Sequence, residues 1–162
     1  MLIKDTTIKW CSSVLFWRWG ITRYAVLAFL VPLAMRAIPE FLMGSWPAGF
    51  DVVTYYAPYM LDVKRCGLVK PFFDILRSQT APLTYAFVGL VAYLIPIDSL
   101  FLAKVLSPII YGFLGFAIYM FVKNGLSWAS RRALLATLMV AMYFVSLRLS
   151  WDMWKNTLGL AF

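Results

Sequence analysis

Two short patches hold the residue types that could do chemistry in this chain. The first is WPAGFDVVTYY, residues 46–56, where Asp51 follows a Pro/Gly turn and precedes the paired tyrosines Tyr55 and Tyr56. A carboxylate in this setting can act as a general base or as a metal ligand. Local sequence favours the alternative that Asp51 is a solvated helix N-cap, since Asp is preferred there. Asp62 lies in the same loop but outside the motif, and we expect it to have no catalytic role.

The second patch is SLRLSWDMWKN, residues 146–156. Spacing of i, i+4 and i+7 would put Arg148, Asp152 and Lys155 on one face of a helix, with Asn156 beside them. The same spacing suits an interfacial ladder of salt bridges without a binding role. Considered together, the two patches favour a substrate that carries a phosphate, because Arg and Lys neutralise phosphate oxygens.

The composition argues against several other kinds of chemistry. The chain has no histidine and two cysteines, Cys11 and Cys66, so zinc sites, haem sites and His-based triads lack their usual ligands or bases. A spanning helix between the cysteines would put them on opposite sides of a membrane, so we expect no disulfide. The net charge is +8, but the Lys and Arg residues cluster at the ends of apolar runs. This pattern favours membrane orientation over nucleic-acid binding.

The apolar content predicts that membrane helices position these patches. Apolar residues make up 63% of the 162 residues and charged residues 14%, with a mean hydropathy of +0.80. Soluble domains are about half apolar and a quarter charged. We therefore predict an all-α integral membrane protein. It would have three to four transmembrane helices and a long extracytoplasmic first loop that contains interfacial helices.

The apolar runs define the segments of a single transmembrane module, with Pro32 expected to kink the first span. The predicted segments are a cytoplasmic interfacial segment (1–23), span 1 (21–38), an outer loop (39–80), an interfacial or re-entrant helix (81–96), span 2 (99–122), span 3 (133–147), and an outer motif with the start of a further span (148–162).

The topology depends on whether the short run 81–96 crosses the membrane. If it does not cross, the basic loop 123–132 lies in the cytoplasm with the basic N-terminal segment, as the positive-inside rule requires. If it does cross, that loop lies outside. We favour the three-span arrangement, in which Asp51 and Asp152 share the extracytoplasmic face.

The order of these features resembles the N-terminal part of the GT-C glycosyltransferases, which take sugars from polyprenyl phosphate or pyrophosphate carriers. The first span ends in Arg36, the outer loop contains GFDxxxYY, and a Pro-Leu-x-Tyr segment ends at Tyr85. A motif similar to R-x-x-x-D-x-x-x-N follows at Arg148, Asp152 and Asn156. The resemblance extends over essentially the whole chain.

The resemblance implies roles for the residues that match these motifs. Asp51 would be the catalytic base or a metal ligand at the acceptor site, and Asp152 would match the second acidic position. Tyr55 and Tyr56 would line the sugar or acceptor pocket. Carboxylate oxygens also suit Mg²⁺ or Mn²⁺ as ligands, but two separated aspartates do not establish a metal site, so no cofactor is assigned.

The chain departs from the family at the donor phosphate. Related transferases carry a phosphate-contacting lysine just before the Pro-Leu-x-Tyr segment, whereas Thr80 stands here. Arg77, Arg148 and Lys155 are the remaining candidates for this contact. The complete set of predicted substrate-binding residues is Arg36, Tyr55, Tyr56, Arg77, Tyr85, Arg148, Asp152, Lys155 and Asn156.

The function implied by the resemblance is transfer of a sugar from a polyprenyl-phosphate donor to an acceptor at the outer face of the plasma membrane. Two alternatives stay open, a non-catalytic membrane scaffold subunit and a truncated, inactive fragment. A small transporter subunit is favoured least, because ionisable residues in the middle of the spans are missing. Family members usually carry further spans, so we expect either additional C-terminal spans or a second polypeptide as a partner, besides membrane lipid.

Overall fold

The computed structural model describes residues 23–78 and 82–143, and the regular structure in these ranges is helical. The α-helices of this described part are α1 (Arg23–Leu42), α2 (Ala57–Cys66), α3 (Val69–Ser78), α4 (Pro82–Leu94), α5 (Ser99–Met120) and α6 (Ser130–Met142). A π-helical turn, Val52–Tyr56, leads into α2, and a second, Phe121–Gly125, follows α5. The predicted all-α class is confirmed.

Two helices are long and apolar enough to cross a membrane. Helix α1 has 20 residues and a mean hydropathy of 1.8, and α5 with its π-helical extension has 27 residues and a mean hydropathy of 2.0. Helix α1 continues through Pro32 and Pro39 to Leu42. A proline within a helix removes one hydrogen bond, and neighbouring helices can compensate for this loss. The outer loop predicted to begin at Pro39 therefore begins at residue 43.

The other two predicted apolar segments correspond to α4 and α6. Helix α4 has 13 residues, which corresponds to about 20 Å of helix, against a hydrocarbon core of about 30 Å. Its position relative to a bilayer stays a prediction. Helix α6 is described from Ser130 to Met142, so the end of the third span predicted at 133–147 lies outside the described residues. Residues 1–22 and 144–162 lie outside them as well.

Helices α1 and α5 form an antiparallel pair in close contact. A Cβ atom at Gly115 of α5 would lie 2.4 Å from the carbonyl oxygen of Ala28 in α1. Near the other end of the pair, the Lys104 amine of α5 donates a hydrogen bond to the carbonyl oxygen of Gly44, just after α1. Small residues allow such close approach of helix backbones, as is common between membrane helices.

Helices α2, α3 and α4 form a cap beside the first half of α5. The buried side chains shared by the π-helical turn, α2, α4 and α5 include Val52, Met60, Val88 and Leu106. Helix α3 packs against α2 and α4. The long loop predicted between the first two spans is therefore largely helical, and the interfacial position of its helices stays a prediction.

Charged residues are unevenly distributed between the two ends of the α1–α5 pair. At one end the starts of α1 and α6 meet, where Arg131 Nε donates a hydrogen bond to the Tyr24 hydroxyl at 3.3 Å. The residues at this end include Arg23, Lys123, Arg131 and Arg132, and positions 121–132 contain no acidic residue. Every acidic residue of the described ranges lies between Glu40 and Asp98, on the chain that joins the far end of α1 to α5.

Candidate functional site

A buried ion pair at the end of α1 holds the loop that precedes Asp51. Arg36 Nη1 and Glu40 Oε1 lie 2.7 Å apart, and the two residues are 0% and 2% exposed. Arg36 Nη2 donates a hydrogen bond of 3.0 Å to the Ala48 carbonyl oxygen. The Ala48 N–H donates one of 2.7 Å to Glu40 Oε2. Both charged side chains therefore bind the same residue of the loop, through its two backbone polar groups.

The structure places the Arg36 side chain in this enclosed ion pair. The sequence predicts a substrate contact at the end of the first span, but the Arg36 side chain is fully enclosed and is not among the residues that line the cleft described below. The i, i+4 spacing of Arg36 and Glu40 is a signal for an ion pair that the sequence did offer.

Asp51 lies in the first turn of the helical segment that follows this loop. Gly49 has a φ of +118°, a conformation that glycine adopts without strain, and it directs the chain into the helix. At Asp51 the backbone is already helical, with φ −61° and ψ −35°, and the side chain makes no capping hydrogen bond. The structure therefore does not give Asp51 the N-cap role that local sequence favours.

The half-buried Asp51 lies near Tyr85 of α4. Burial raises the pKa of the Tyr85 phenol, and the negative charge of Asp51 raises it further, followed by a smaller effect of Tyr55. An anion disfavours a second negative charge close by. The phenol of Tyr85 therefore stays neutral, as a hydrogen-bond donor, at neutral pH.

Three buried tyrosines, Tyr56, Tyr59 and Tyr85, form a cluster. The ring centroid of Tyr85 is 5.1 Å from that of Tyr56 and 5.1 Å from that of Tyr59. Burial also raises the pKa of Tyr59. The Tyr59 hydroxyl is buried and has no hydrogen-bond partner among the described residues. Of the predicted pair, Tyr56 thus belongs to the core, whereas Tyr55 is 45% exposed.

A cleft of about 430 Å³ lies between α2, α3 and the start of α4, within the usual range for small-molecule sites of about 300–1,000 Å³. The side chains most relevant to binding are Tyr55, Tyr59, Asp62, Lys70, Asp74 and Tyr85. Carboxylates accept hydrogen bonds from hydroxyl groups, and an ammonium group can neutralise a phosphate oxygen. Aromatic rings offer flat apolar faces. The cleft thus has the groups needed to bind a polyhydroxylated ring and an attached phosphate.

The structure brings only part of the predicted set together. Tyr55 and Tyr85 line the cleft, and Asp51, which is not a lining residue, lies close enough to Tyr85 to raise the pKa of its phenol. The Arg77 side chain and the whole C-terminal set lie outside the described part; that set is Arg148, Asp152, Lys155 and Asn156.

Sequence reasoning missed three charged residues of the cleft, Asp62, Lys70 and Asp74. The segment was predicted as part of the outer loop 39–80, without bounds for the helices in it, and it folds into α2 and α3. The i, i+4 spacing of Lys70 and Asp74 is the signal that could have indicated a polar helix face.

A metal site remains a prediction. Within residues 23–78 and 82–143, no group of three or more His, Cys, Asp and Glu side chains is placed to hold a metal ion. The other predicted acidic residue, Asp152, lies outside the described residues. We therefore derive no metal-dependent step for Mg²⁺ or Mn²⁺.

No protein-family model, curated protein or solved structure matches this chain. The resemblance of its short motifs to the GT-C glycosyltransferases therefore continues as a proposal.

Proposed function

We propose that this chain is a module of a membrane glycosyltransferase, which transfers a sugar from a polyprenyl-phosphate donor to an acceptor at the extracytoplasmic membrane face. The observation that carries the proposal is the position of Asp51. Its half-buried carboxylate lies close enough to Tyr85 for its charge to raise the pKa of that phenol. Tyr85 lines a polar and aromatic cleft in the helical cap that packs against the membrane-length helix α5. A base next to a cleft that suits a sugar is the minimum arrangement for this reaction.

The outward surfaces of α1 and α5 support a membrane location. Only 28% of the most apolar stretch of α1 is buried, so most of this stretch is at least partly exposed. Exposed apolar residues on the two helices include Leu27, Leu30, Phe101 and Phe113. Exposed apolar side chains that lie together in this way are unfavourable in water and favourable against lipid tails.

The charge distribution supports the orientation. At the end of the α1–α5 pair that carries Arg131 and Arg132, all the charged residues of segment 121–132 are basic. The positive-inside rule assigns such an end to the cytoplasm. Asp51 and the cleft then lie on the extracytoplasmic side.

Helix α3 suits a substrate with a lipid tail. Lys70 and Asp74 on one face line the cleft, whereas Val69, Phe73 and Leu76 are exposed on another face. Such an amphipathic helix lies in the plane of the membrane interface, with its apolar face towards the acyl chains. A sugar phosphate in the cleft would then remain attached to a polyprenyl chain in the membrane.

The reaction is a single displacement at the anomeric carbon. The acceptor hydroxyl oxygen forms the new bond to this carbon, and Asp51 takes the hydroxyl proton. The bond from the anomeric carbon to the phosphate oxygen breaks, and its electron pair leaves with the polyprenyl phosphate. Lys70 would stabilise the charge on the leaving group, and Asp62 would accept hydrogen bonds from the sugar. The configuration at the anomeric carbon is inverted.

Transfer of label tests the proposal. Membranes that contain the chain are incubated with a panel of polyprenyl-phosphate donors, each carrying one radiolabelled hexose, and membranes without it serve as the control. We expect one donor to lose its label to a product that mild acid does not hydrolyse. Consumption of no donor would contradict the enzymatic proposal and would favour the scaffold alternative.

A further inference from the structure

We infer that the buried Arg36–Glu40 pair of α1 is a positioning pair, which determines where the Asp51 carboxylate lies relative to the cleft. This inference rests on the proposed function, in which Asp51 is the base. Neither charged group touches the reacting atoms. Both act through Ala48, which each of them binds by a hydrogen bond.

The burial of the pair calls for an explanation other than stability. Moving two opposite charges out of water has a desolvation cost that their mutual attraction often does not exceed, and apolar residues of similar size are often as stable. Outside the ion pair, Arg36 Nη2 and Glu40 Oε2 bind the two backbone polar groups of one loop residue. The pair thus fixes the position and orientation of the Ala48 peptide groups, which an apolar pair could not do.

The part of the loop that follows α1 is exposed. Residues 43–46 are exposed, including Trp46 at 58%. The Lys104 hydrogen bond reaches Gly44, at the α1 side of the loop. The Arg36–Glu40 contacts are at Ala48, on the side that leads to Asp51. The bound residue is therefore the last firmly held point before the helical segment begins.

The path from Ala48 to Asp51 is short and constrained. Gly49 adopts a φ of +118°, and its carbonyl oxygen accepts a hydrogen bond of 3.4 Å from the Val53 N–H. This bond belongs to the first helical turn, which contains Asp51. A change in the Ala48 peptide would alter the start of this turn and, with it, the distance between Asp51 and Tyr85.

Two double variants test the inference. Arg36→Met with Glu40→Met removes both charges at similar volume and leaves no unpaired charge. Arg36→Glu with Glu40→Arg keeps an ion pair within α1 but reverses the groups that face the Ala48 peptide. The control is Lys64→Met, which removes a lysine that donates a hydrogen bond to the Ile97 carbonyl, away from this loop.

Two measurements report on the loop without any substrate. Hydrogen exchange by mass spectrometry follows residues 43–50, and carbodiimide coupling of glycinamide measures the accessibility of the Asp51 carboxyl, with Asp62 as the internal reference. In both double variants we expect exchange of the Ala48 amide to rise by about tenfold or more, since a hydrogen bond to a charged group is lost. Asp51 coupling should rise and Asp62 coupling should not. Circular dichroism should show unchanged helix content.

The inference is overturned if a folded double variant exchanges and couples as the parent protein does. It is equally overturned if the Ala48 amide exchanges freely in the parent, a result that needs no variant to fold.

When the donor is known, both variants should lower kcat and leave KM nearly unchanged, because a misplaced base affects the chemical step. If Asp51→Asn retains full turnover, the proposed function fails even where the loop measurements behave as expected, so the two failures are distinguishable.

Discussion

Gly115 of α5 lies against Ala28 of α1, so close that a Cβ atom at position 115 would be 2.4 Å from the Ala28 carbonyl oxygen. A backbone atom cannot yield as a flexible side chain can. Gly115→Ala should therefore destabilise the protein by about 1–3 kcal/mol, the usual range for overpacking. Thermal unfolding in detergent measures the effect.

Gly125→Ala is the matched control for this packing prediction. A Cβ atom there would meet the Phe121 ring at 3.3 Å, and Phe121 is exposed and can move. Both substitutions gain helix propensity, so the difference between them reports on packing. Equal melting temperatures would mean that α1 and α5 do not pack as described.

The orientation of the chain can be tested by cysteine labelling in intact cells. In a background with Cys11→Ser and Cys66→Ser, an impermeant maleimide should label Ser45→Cys, in the loop after α1. It should label Asn124→Cys, after α5, only once the cells are permeabilised, because the basic end is expected to be cytoplasmic. The reverse pattern would put Asp51 in the cytoplasm and remove the proposed outer active face.

The long helices could be predicted from the sequence because their signal is local. The length and the composition of an apolar run can be measured directly in the sequence, and these two properties decide whether the run can cross a bilayer. Such runs predicted α1 and α5. The end of α1 was predicted too early, because a proline such as Pro39 usually ends a helix, whereas this helix continues to Leu42.

The candidate site could be predicted only in part, because it depends on contacts between distant segments. GFDVVTYY identified Asp51 and Tyr55, but nothing in that motif reveals that Asp62 and Lys70 approach Tyr85 when α2, α3 and α4 pack together. The buried Arg36 likewise donates its hydrogen bond to Ala48, which lies 12 residues away in the chain.

Alkaline pH should destabilise the fold through the buried tyrosines. The pKa values of Tyr59 and Tyr85 are raised in the folded state, mainly by burial. Above about pH 10 the unfolded chain releases these protons more readily than the folded chain, so the free energy of unfolding falls as the pH rises. Thermal midpoints measured from neutral to alkaline pH should therefore decline.

Phenylalanine variants identify the residues responsible. The decline at alkaline pH should be shallower in Tyr59→Phe and in Tyr85→Phe than in the parent. At neutral pH, Tyr59→Phe should be neutral or stabilising by up to about 1 kcal/mol, because it removes a buried hydroxyl that has no partner among the described residues. An unchanged pH profile in both variants would show that these phenols are not protected in the folded state.

Binding of the donor should depend on Lys70, which lines the cleft. Lys70→Gln should weaken binding of a polyprenyl-phosphate hexose analogue by about tenfold or more, since charge-assisted contacts are worth about 1.5–3 kcal/mol. Lys64→Gln is the control, because Lys64 donates a hydrogen bond to the Ile97 carbonyl oxygen and does not line the cleft. Equal affinities of the two variants and the parent would exclude the cleft as the phosphate site.

A test of the role of Asp51 needs a control substitution at an aspartate other than Asp62. Asp62 was expected to be inert but lines the cleft. Asp98→Asn is better suited, because Asp98 caps α5 by accepting hydrogen bonds from the Leu100 and Phe101 N–H groups. Asparagine can fill this capping position equally well.

Turnover of the labelled donor by Asp51→Asn is the most direct test of the proposed reaction. Asparagine is nearly isosteric with aspartate but cannot take up the acceptor proton, so turnover should fall by about 10²–10⁴. Asp98→Asn should stay within about threefold of the parent, with similar melting temperatures for both variants, as expected for mild substitutions. Turnover of Asp51→Asn equal to that of Asp98→Asn would contradict the assignment of Asp51 as the base.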